Sequence, residues 1–332
     1  MTEPFLVADI GGTNARFALA HMKNGGIAVE ELRSFRAEEF DSIRAAAHAY
    51  LEAVSVKPKT ACFAVAGPVT DEQVEFTNSP WVLNIEGFKK ALCLTRLRVV
   101  NDFEALASGV GSLRDKDFLE IKAGAGDPHA PTLVMGPGTG LGQALIVPFG
   151  NRERVVSTEG GHVSFAPRTD EEIALMQFIR REHARVSVER VVSGIGLVNI
   201  YRALCEIEDV DCDPMRADEI TAAAIKGTHP IAVKTANMFC ALLGRVAGDA
   251  VLGAGARGGV VLGGGILPKI RELFLKSAFV ERFLDKGRMQ YYLEDVPVRL
   301  IISDGTALLG AAAMAKGAEM AKGADKGAGN AD

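Results

Sequence analysis

Runs of apolar residues, broken at short intervals by glycine, divide the chain into two successions of elements that begin alike. Phe5-Leu6-Val7-Ala8-Asp9-Ile10 enters the turn Gly11-Gly12-Thr13-Asn14, and Ala15-Arg16-Phe17-Ala18-Leu19 leaves it with Phe17 and Leu19 on one face. That spacing predicts strand, tight hairpin, strand. A third strand follows over Ile27 to Phe35, then a helix in which Ile43, Ala47, Tyr50, Leu51 and Val54 share a face and Asp41 or Ser42 caps the start. Ala61 to Ala66 reads as a buried strand, and a loop through Thr77-Asn78-Ser79-Pro80-Trp81 leads to a short helix near Ile85 to Leu92. The strand Leu97 to Val100 then delivers Asn101 and Asp102 at its carboxyl end, ahead of a helix from about Phe103.

The same order restarts at Thr132. Leu133 to Val147 is a second hairpin, with glycine at 136, 138, 140 and 142 and Thr139 between them. A strand near Arg154 to Ser157 and the turn Glu159-Gly160-Gly161-His162 come next, then helices over 170–184, 194–206, 217–226 and 230–253. The strand Gly258 to Leu262 stops at Gly263-Gly264-Gly265, and a helix around Pro268 to Lys276, a strand at Val298 to Ile302 and a helix from Thr306 complete the chain. Two hairpin-led α/β halves with mixed sheets and a cleft between them are the implied architecture.

Composition narrows the function. A net charge of −5 over 332 residues, without a dense Lys/Arg stripe, argues against a nucleic-acid surface. No run approaches the roughly 20 apolar residues of a membrane span. The chain enters a strand almost at once, with no basic and apolar leader, so a cytoplasmic location is expected. The five cysteines are scattered, with no C-x-x-C pair, which predicts a reducing compartment, no zinc knuckle and no disulfide framework; Cys62 and Cys240 read as core residues. Residues from Ala315 to Asp332 carry little to bury and are expected to fray or be disordered.

The glycine turns are the candidate chemistry. Glycine permits positive φ and lets N–H groups converge on an anion. A P-loop would need a lysine that neither turn has. A dinucleotide fold would open a helix directly after its glycines, where this chain continues as a strand. Protein-kinase signatures are also missing. The hairpins resemble instead the phosphate segments of the sugar kinase, actin and chaperone-ATPase superfamily, which hold ATP from both sides of a cleft.

The resemblance then narrows. Asp9-Ile10-Gly11-Gly12-Thr13-Asn14-Ala15-Arg16, Asn101-Asp102-Phe103, Gly138-Thr139-Gly140-Leu141-Gly142, Glu159-Gly160-Gly161-His162, Glu189-Arg190-Val191-Val192-Ser193-Gly194 and Leu262-Gly263-Gly264-Gly265-Ile266 occur in the order and approximate spacing of the ATP-dependent, proteobacterial type of glucokinase. The match covers nearly the whole chain up to about Ala315. The related ROK kinases and repressors carry a zinc-binding C-x-C-G-x-x-G-C segment that has no counterpart here, so His162 is not expected to hold zinc.

The resemblance implies two ribonuclease-H-like lobes: a small one over 1–110 completed by a helix at about 303–316, a large one over 111–302, and a disordered tail over 317–332. It implies transfer of the γ-phosphoryl group of ATP to the 6-hydroxyl of D-glucose, and a homodimer. Read alone, Asp102 fits either a helix cap or a base; the resemblance makes it the base that accepts the sugar proton. Asn101, Glu159, His162 and Glu189 then bind sugar hydroxyls, although in isolation Glu189 reads as a solvated helix start and His162 as a turn histidine. Asn78, beside Trp81, is a weaker sugar candidate. Gly11, Gly12, Thr13, Asn14, Gly138, Thr139, Gly140 and Gly142 line the phosphates, and Gly263, Gly264 and Gly265 let adenosine lie against the backbone. Asp9 orients water around Mg²⁺, which rides on the nucleotide phosphates without a protein cage. A kinase for mannose or fructose and a non-catalytic sugar sensor are the alternatives.

Overall fold

Alternation of small apolar residues in Phe5–Ile10 (β1) lets both faces of one strand be covered, and the first sheet is built outward from it. The computed structural model describes residues 3–11, 14–23, 26–67, 73–75, 81–150 and 152–327. The chain divides into two units, Met1–Asp115 with Ser303–Asp332, and Lys116–Ile302. In the first, β1 turns into β2 (Asn14–Lys23) with Ile10 opposite Ala15, and β2 into β3 (Gly26–Arg36), all antiparallel. Helix α1 (Ile43–Val54), capped by Ser42, crosses to β4 (Thr60–Val65), parallel to β1. The small ribbon β5 (Gln73–Glu75) and β6 (Val82–Asn84) and helix α2 (Ile85–Ala91) lead to β7 (Arg96–Asn101), parallel to β4, and to α3 (Asp102–Val110). The sheet order is β3-β2-β1-β4-β7.

The second unit repeats this plan. An edge strand β8 (Phe118–Lys122) precedes the hairpin β9 (Thr132–Pro137) and β10 (Leu141–Phe149), with β11 (Arg152–Thr158) antiparallel to β10. Helices α4 (Asp170–Arg180), α5 (Gly194–Ile207), α6 (Ala217–Lys226) and α7 (Pro230–Ala254) follow. Then come β12 (Gly259–Leu262), short helices α8 (Arg271–Leu275), α9 (Phe279–Leu284) and α10 (Gln290–Glu294), and β13 (Val298–Ile301). The order β11-β10-β9-β12-β13-β8 contains the same succession as the first sheet, with β8 added antiparallel to β13. A mixed-sheet α/β fold in two units is thus observed. Strand β8, the β5–β6 ribbon and helices α9 and α10 were not foreseen, because segments of three to six residues carry too little periodicity to register.

The last helix, α11 (Thr306–Gly327), returns to the first unit. Leu6, Ala8 and Ile10 pack with Phe17, Phe63 and Tyr50 on one face of the first sheet. Val7, Ala18, Cys62, Ala64 and Val100 pack on the other with Ala105 of α3 and Leu308, Ala311 and Ala312 of α11. Helix α11 extends to Gly327, through most of the stretch from Ala315 whose composition predicts fraying or disorder; residues 328–332 lie outside the described part. No helix among the described residues is long and apolar enough to cross a membrane.

Helices α3 and α11 approach through glycine. A Cβ on Gly310 would lie 1.7 Å from the Ala105 carbonyl oxygen, and one on Gly109 would lie 2.2 Å from that of Thr306. Since α3 begins with Asp102, this contact fixes the helix that carries the candidate base. Gly310→Ala should cost about 1–3 kcal/mol, the usual range for overpacking, read as a lower urea midpoint; an unchanged midpoint would mean the helices separate freely.

Candidate active site

The first unit gathers its predicted residues at the carboxyl ends of its parallel strands, where open α/β sheets hold ligands. Asp9 is paired with Ala64 across β1 and β4, and Asn101 with Val65 across β4 and β7, so both stand at the same sheet edge. The Asn101 side chain caps α3: its Oδ1 accepts from Phe103 N at 2.9 Å and from Glu104 N at 3.3 Å. Cap duty therefore falls mainly on Asn101, whose amide NH₂ remains a donor. Asp102 Oδ1 also accepts from Phe103 N, at 2.9 Å. Burial pushes the Asp102 carboxyl up to about 6, the nearby Asp9 charge adds to the rise, and the backbone N–H groups oppose it. Asp9 is likewise raised by burial, against the pull of Arg16, whose guanidinium lies 3.8 Å away. The hairpin turn closes with Gly11 N donating to Asn14 O at 2.9 Å. Gly12, Thr13 and Asn78 lie outside the described residues. Trp81 is a core residue, donating to Phe40 O at 3.0 Å.

The second unit organises its residues around the β9–β10 hairpin. Gly138 N donates to Gly140 O at 2.8 Å, which leaves Thr139 exposed at the tip. The positive φ anticipated for these glycines is not observed at Gly138, Gly140 or Gly142. Close approach explains two of the hairpin glycines: a Cβ on Gly140 would meet Glu189 Oε2 at 2.3 Å, and one on Gly136 would meet the Gly263 carbonyl carbon at 2.6 Å. Gly264 does require glycine, with φ +82° and its Cβ position 2.5 Å from Pro137 O, so the Gly263–Gly265 segment is seated on the hairpin's entry strand.

Glu189 is tied to that hairpin directly. Its Oε2 accepts from Leu141 N at 2.8 Å, and Gly194 N donates to Gly138 O at 2.8 Å. One carboxylate oxygen thus anchors the predicted phosphate hairpin, and the other has no hydrogen-bond partner among the described residues. Glu159 precedes and His162 ends a single 3-10 turn, Gly160–His162, with His162 Nε2 3.8 Å from Glu159 Oε2; both side chains are exposed.

Three supporting residues escaped notice. Arg185 donates to the His162 carbonyl at 2.6 Å, and nothing in its surroundings in sequence announced it. Ser193 Oγ donates to Glu189 O at 2.7 Å and accepts from Gly196 N at 3.0 Å, holding the Glu189 turn against the start of α5. Gln143 fills the space over Gly160, where a Cβ would lie 2.1 Å from its Oε1. The cysteine expectation needs correcting too. Cys205 and Cys212 form a disulfide with Cα atoms 6.1 Å apart, because the loop after α5 folds back on the helix end. Cys62 and Cys240 are buried, and burial raises both thiols to about 12.

A glucokinase family model matches residues 6–318. The chain is 42% identical over 308 residues to the glucokinase of Marinobacter nauticus, covering 92% of this chain and 95% of that protein. A crystal structure of glucokinase from an Antarctic psychrotroph superposes with a TM-score of 0.84 at 41% identity, covering 96% of this chain and 100% of that one. The glucokinase of Balamuthia mandrillaris, at 23% identity and a TM-score of 0.79 over 94% of this chain and 93% of that one, shares the fold.

Proposed function

This chain belongs to the glucokinase family, and on that premise we propose that it transfers the γ-phosphoryl group of ATP to the 6-hydroxyl of D-glucose, acting as a cytoplasmic homodimer. The observation that carries the reading is Asp102: a carboxylate fixed at a strand-to-helix junction, with its affinity for a proton raised to about 6. A base of that strength is ionised at neutral pH and still accepts a proton in the transition state. As the sugar oxygen bonds to the γ-phosphorus, its proton passes to Asp102 and the bond to the β–γ bridging oxygen breaks, releasing ADP.

Asn101 keeps its amide donor for the sugar, and Glu159, His162 and Glu189 supply further donors and acceptors for a ring of hydroxyls. Gly11 to Asn14 and Gly138 to Gly142 offer backbone to the phosphates, and Gly263 to Gly265 to the adenosine. Asp9 is a carboxylate beside Arg16, with the Asp102 charge near it. That donor set fits a Mg²⁺ ion held by nucleotide phosphates and water, with Asp9 orienting a water; when bound, the ion neutralises phosphoryl charge.

A coupled ADP-release assay with glucose, mannose and fructose tests the reading. Glucose should exceed the other two by at least about tenfold in kcat/KM, because a misplaced hydroxyl leaves a hydrogen-bonding group of the site without its partner. ADP release that ignores sugar, or favours another hexose, would overturn it.

A further inference from the structure

Against the sheet and α7 of the second unit is a pocket of 340 Å³, open to solvent where Val163, Ser164 and Asp249 are exposed, that none of the proposed substrate residues lines. Leu133, Leu145, Phe165, Ala250 and Ala254 are among its lining residues, and most of its surface is apolar. The volume is that of a small-molecule site.

Charge narrows what fits. Arg245 and Asp249 both line the cavity, and both are already paired, Arg245 with Glu172 and Asp249 with Lys286 at 2.8 Å. A charged guest would find no spare counter-ion and would lose its hydration. Of the buried polar side chains in the lining, the one left over is Gln143. It is only 6% exposed, lines the cavity, and its side-chain amide has no hydrogen-bond partner among the described residues. Its amide atoms are not among the fully buried unpartnered ones, so they face the open space of the pocket and are free to bond a guest there.

The same cavity backs the sugar segments. Gly160 and Val163 line it beside Glu159 and His162, and Val188 lines it beside Glu189. The Gln143 side-chain oxygen occupies the space that a Cβ on Gly160 would need. Whatever engages Gln143 therefore bears on the turn that carries Glu159 and His162. We propose that this cavity binds a neutral, compact, mostly apolar molecule carrying one amide- or hydroxyl-like group, and that occupancy alters the affinity for sugar. The second half of the proposal rests on the glucose reading above; the first does not.

Benzamide is the probe, with toluene as the control that lacks the polar group, and binding is followed by titration calorimetry on the full chain. Benzamide should bind with a Kd of about 1 mM or tighter, and toluene at least about tenfold more weakly, the worth of one hydrogen bond. Gly253 lines the pocket and a Cβ there meets nothing within 4 Å, so the first carbon of Gly253→Leu has room and the longer side chain is chosen to occupy the pocket. It should abolish benzamide binding, while Gln143→Met should reduce benzamide to the level of toluene. Saturating benzamide should change the glucose KM at least about twofold in the wild type and not in Gly253→Leu.

No benzamide binding, or equal binding to Gly253→Leu, overturns the site. So does an oligomer that Gly253→Leu dissociates without any benzamide binding, which would give the cavity to a second copy. Binding with an unchanged glucose KM overturns the coupling alone. Benzamide binding by a chain that fails to phosphorylate glucose would reject the glucose reading and keep the site.

Discussion

Asp102→Asn is expected to lower kcat for glucose phosphorylation by about a thousandfold, with glucose affinity changed by less than about tenfold. General bases contribute roughly 10² to 10⁴ in rate, and Asn keeps the shape and the hydrogen bond to Phe103 N while losing the basic oxygen. The wild type should show a matching pH dependence. Its base has to be ionised, so kcat/KM falls about tenfold per pH unit below the Asp102 value of about 6. That limb should vanish in the variant.

Stability moves the opposite way. A carboxyl raised in the folded state from 3.8 to about 6 holds its proton more tightly than in the unfolded chain. Its ionised form is unfavourable to folding above about pH 6, and the penalty is relieved as pH falls through that value toward 3.8. Asp102→Asn removes the penalty and should stabilise the protein at pH 7.5 by about 1–2 kcal/mol after allowance for solvent screening. A variant that keeps most of its turnover, or one less stable than wild type at pH 7.5, would separate Asp102 from the chemistry assigned to it.

Arg245→Met is expected to have the largest effect on stability, about 3–5 kcal/mol, the cost of leaving a buried charge without its partner. Arg245 on α7 and Glu172 at the start of α4 are both nearly inaccessible, and Glu172 takes a two-pronged bond from the guanidinium, with one arm at 2.8 Å. Burial alone would raise the Glu172 carboxyl; the bonds from Arg245 and from Arg168 N at 2.7 Å bring it below its usual value. The pair thus stabilises the fold above the unfolded Glu value and loses that contribution as acid protonates it. In Arg245→Met the orphaned Glu172 takes up a proton instead, so the deficit should shrink toward acid pH. Adding Glu172→Leu should recover much of the loss, since apolar replacements of buried pairs are often neutral. Urea titrations of both variants at two pH values check this. A deficit that ignores pH would mean that lost packing, and not the orphaned charge, is responsible.

These two sites differ in how far they can be read from residues in order. Asp102 sits where an apolar strand meets a helix start, and Asn101, Asp102 and Phe103 are neighbours whose roles depend on the turn between those elements. The two glycine hairpins are local in the same sense: Ile10 opposite Ala15 and Pro137 opposite Leu141 follow from short-range pairing. Both sheets contain those hairpins, so the α/β class and the repeated order of elements along the chain follow from short-range signals.

What escaped that reading depends on distance along the chain. Glu189 reaches Leu141 N across 48 residues, and Arg245 reaches Glu172 across 73. The glycines at 136 and 140 are required by what packs against them, Gly263 and Glu189, and not by the backbone conformation that their own sequence suggested. The Cys205–Cys212 bond needs the chain to double back after α5, and the unpartnered amide of Gln143 needs a pocket that four separate segments line. Periodicity and turn chemistry act over a few residues and so write the elements into the chain. Which side chains become partners is set by packing between elements, and that exists only once the chain has folded.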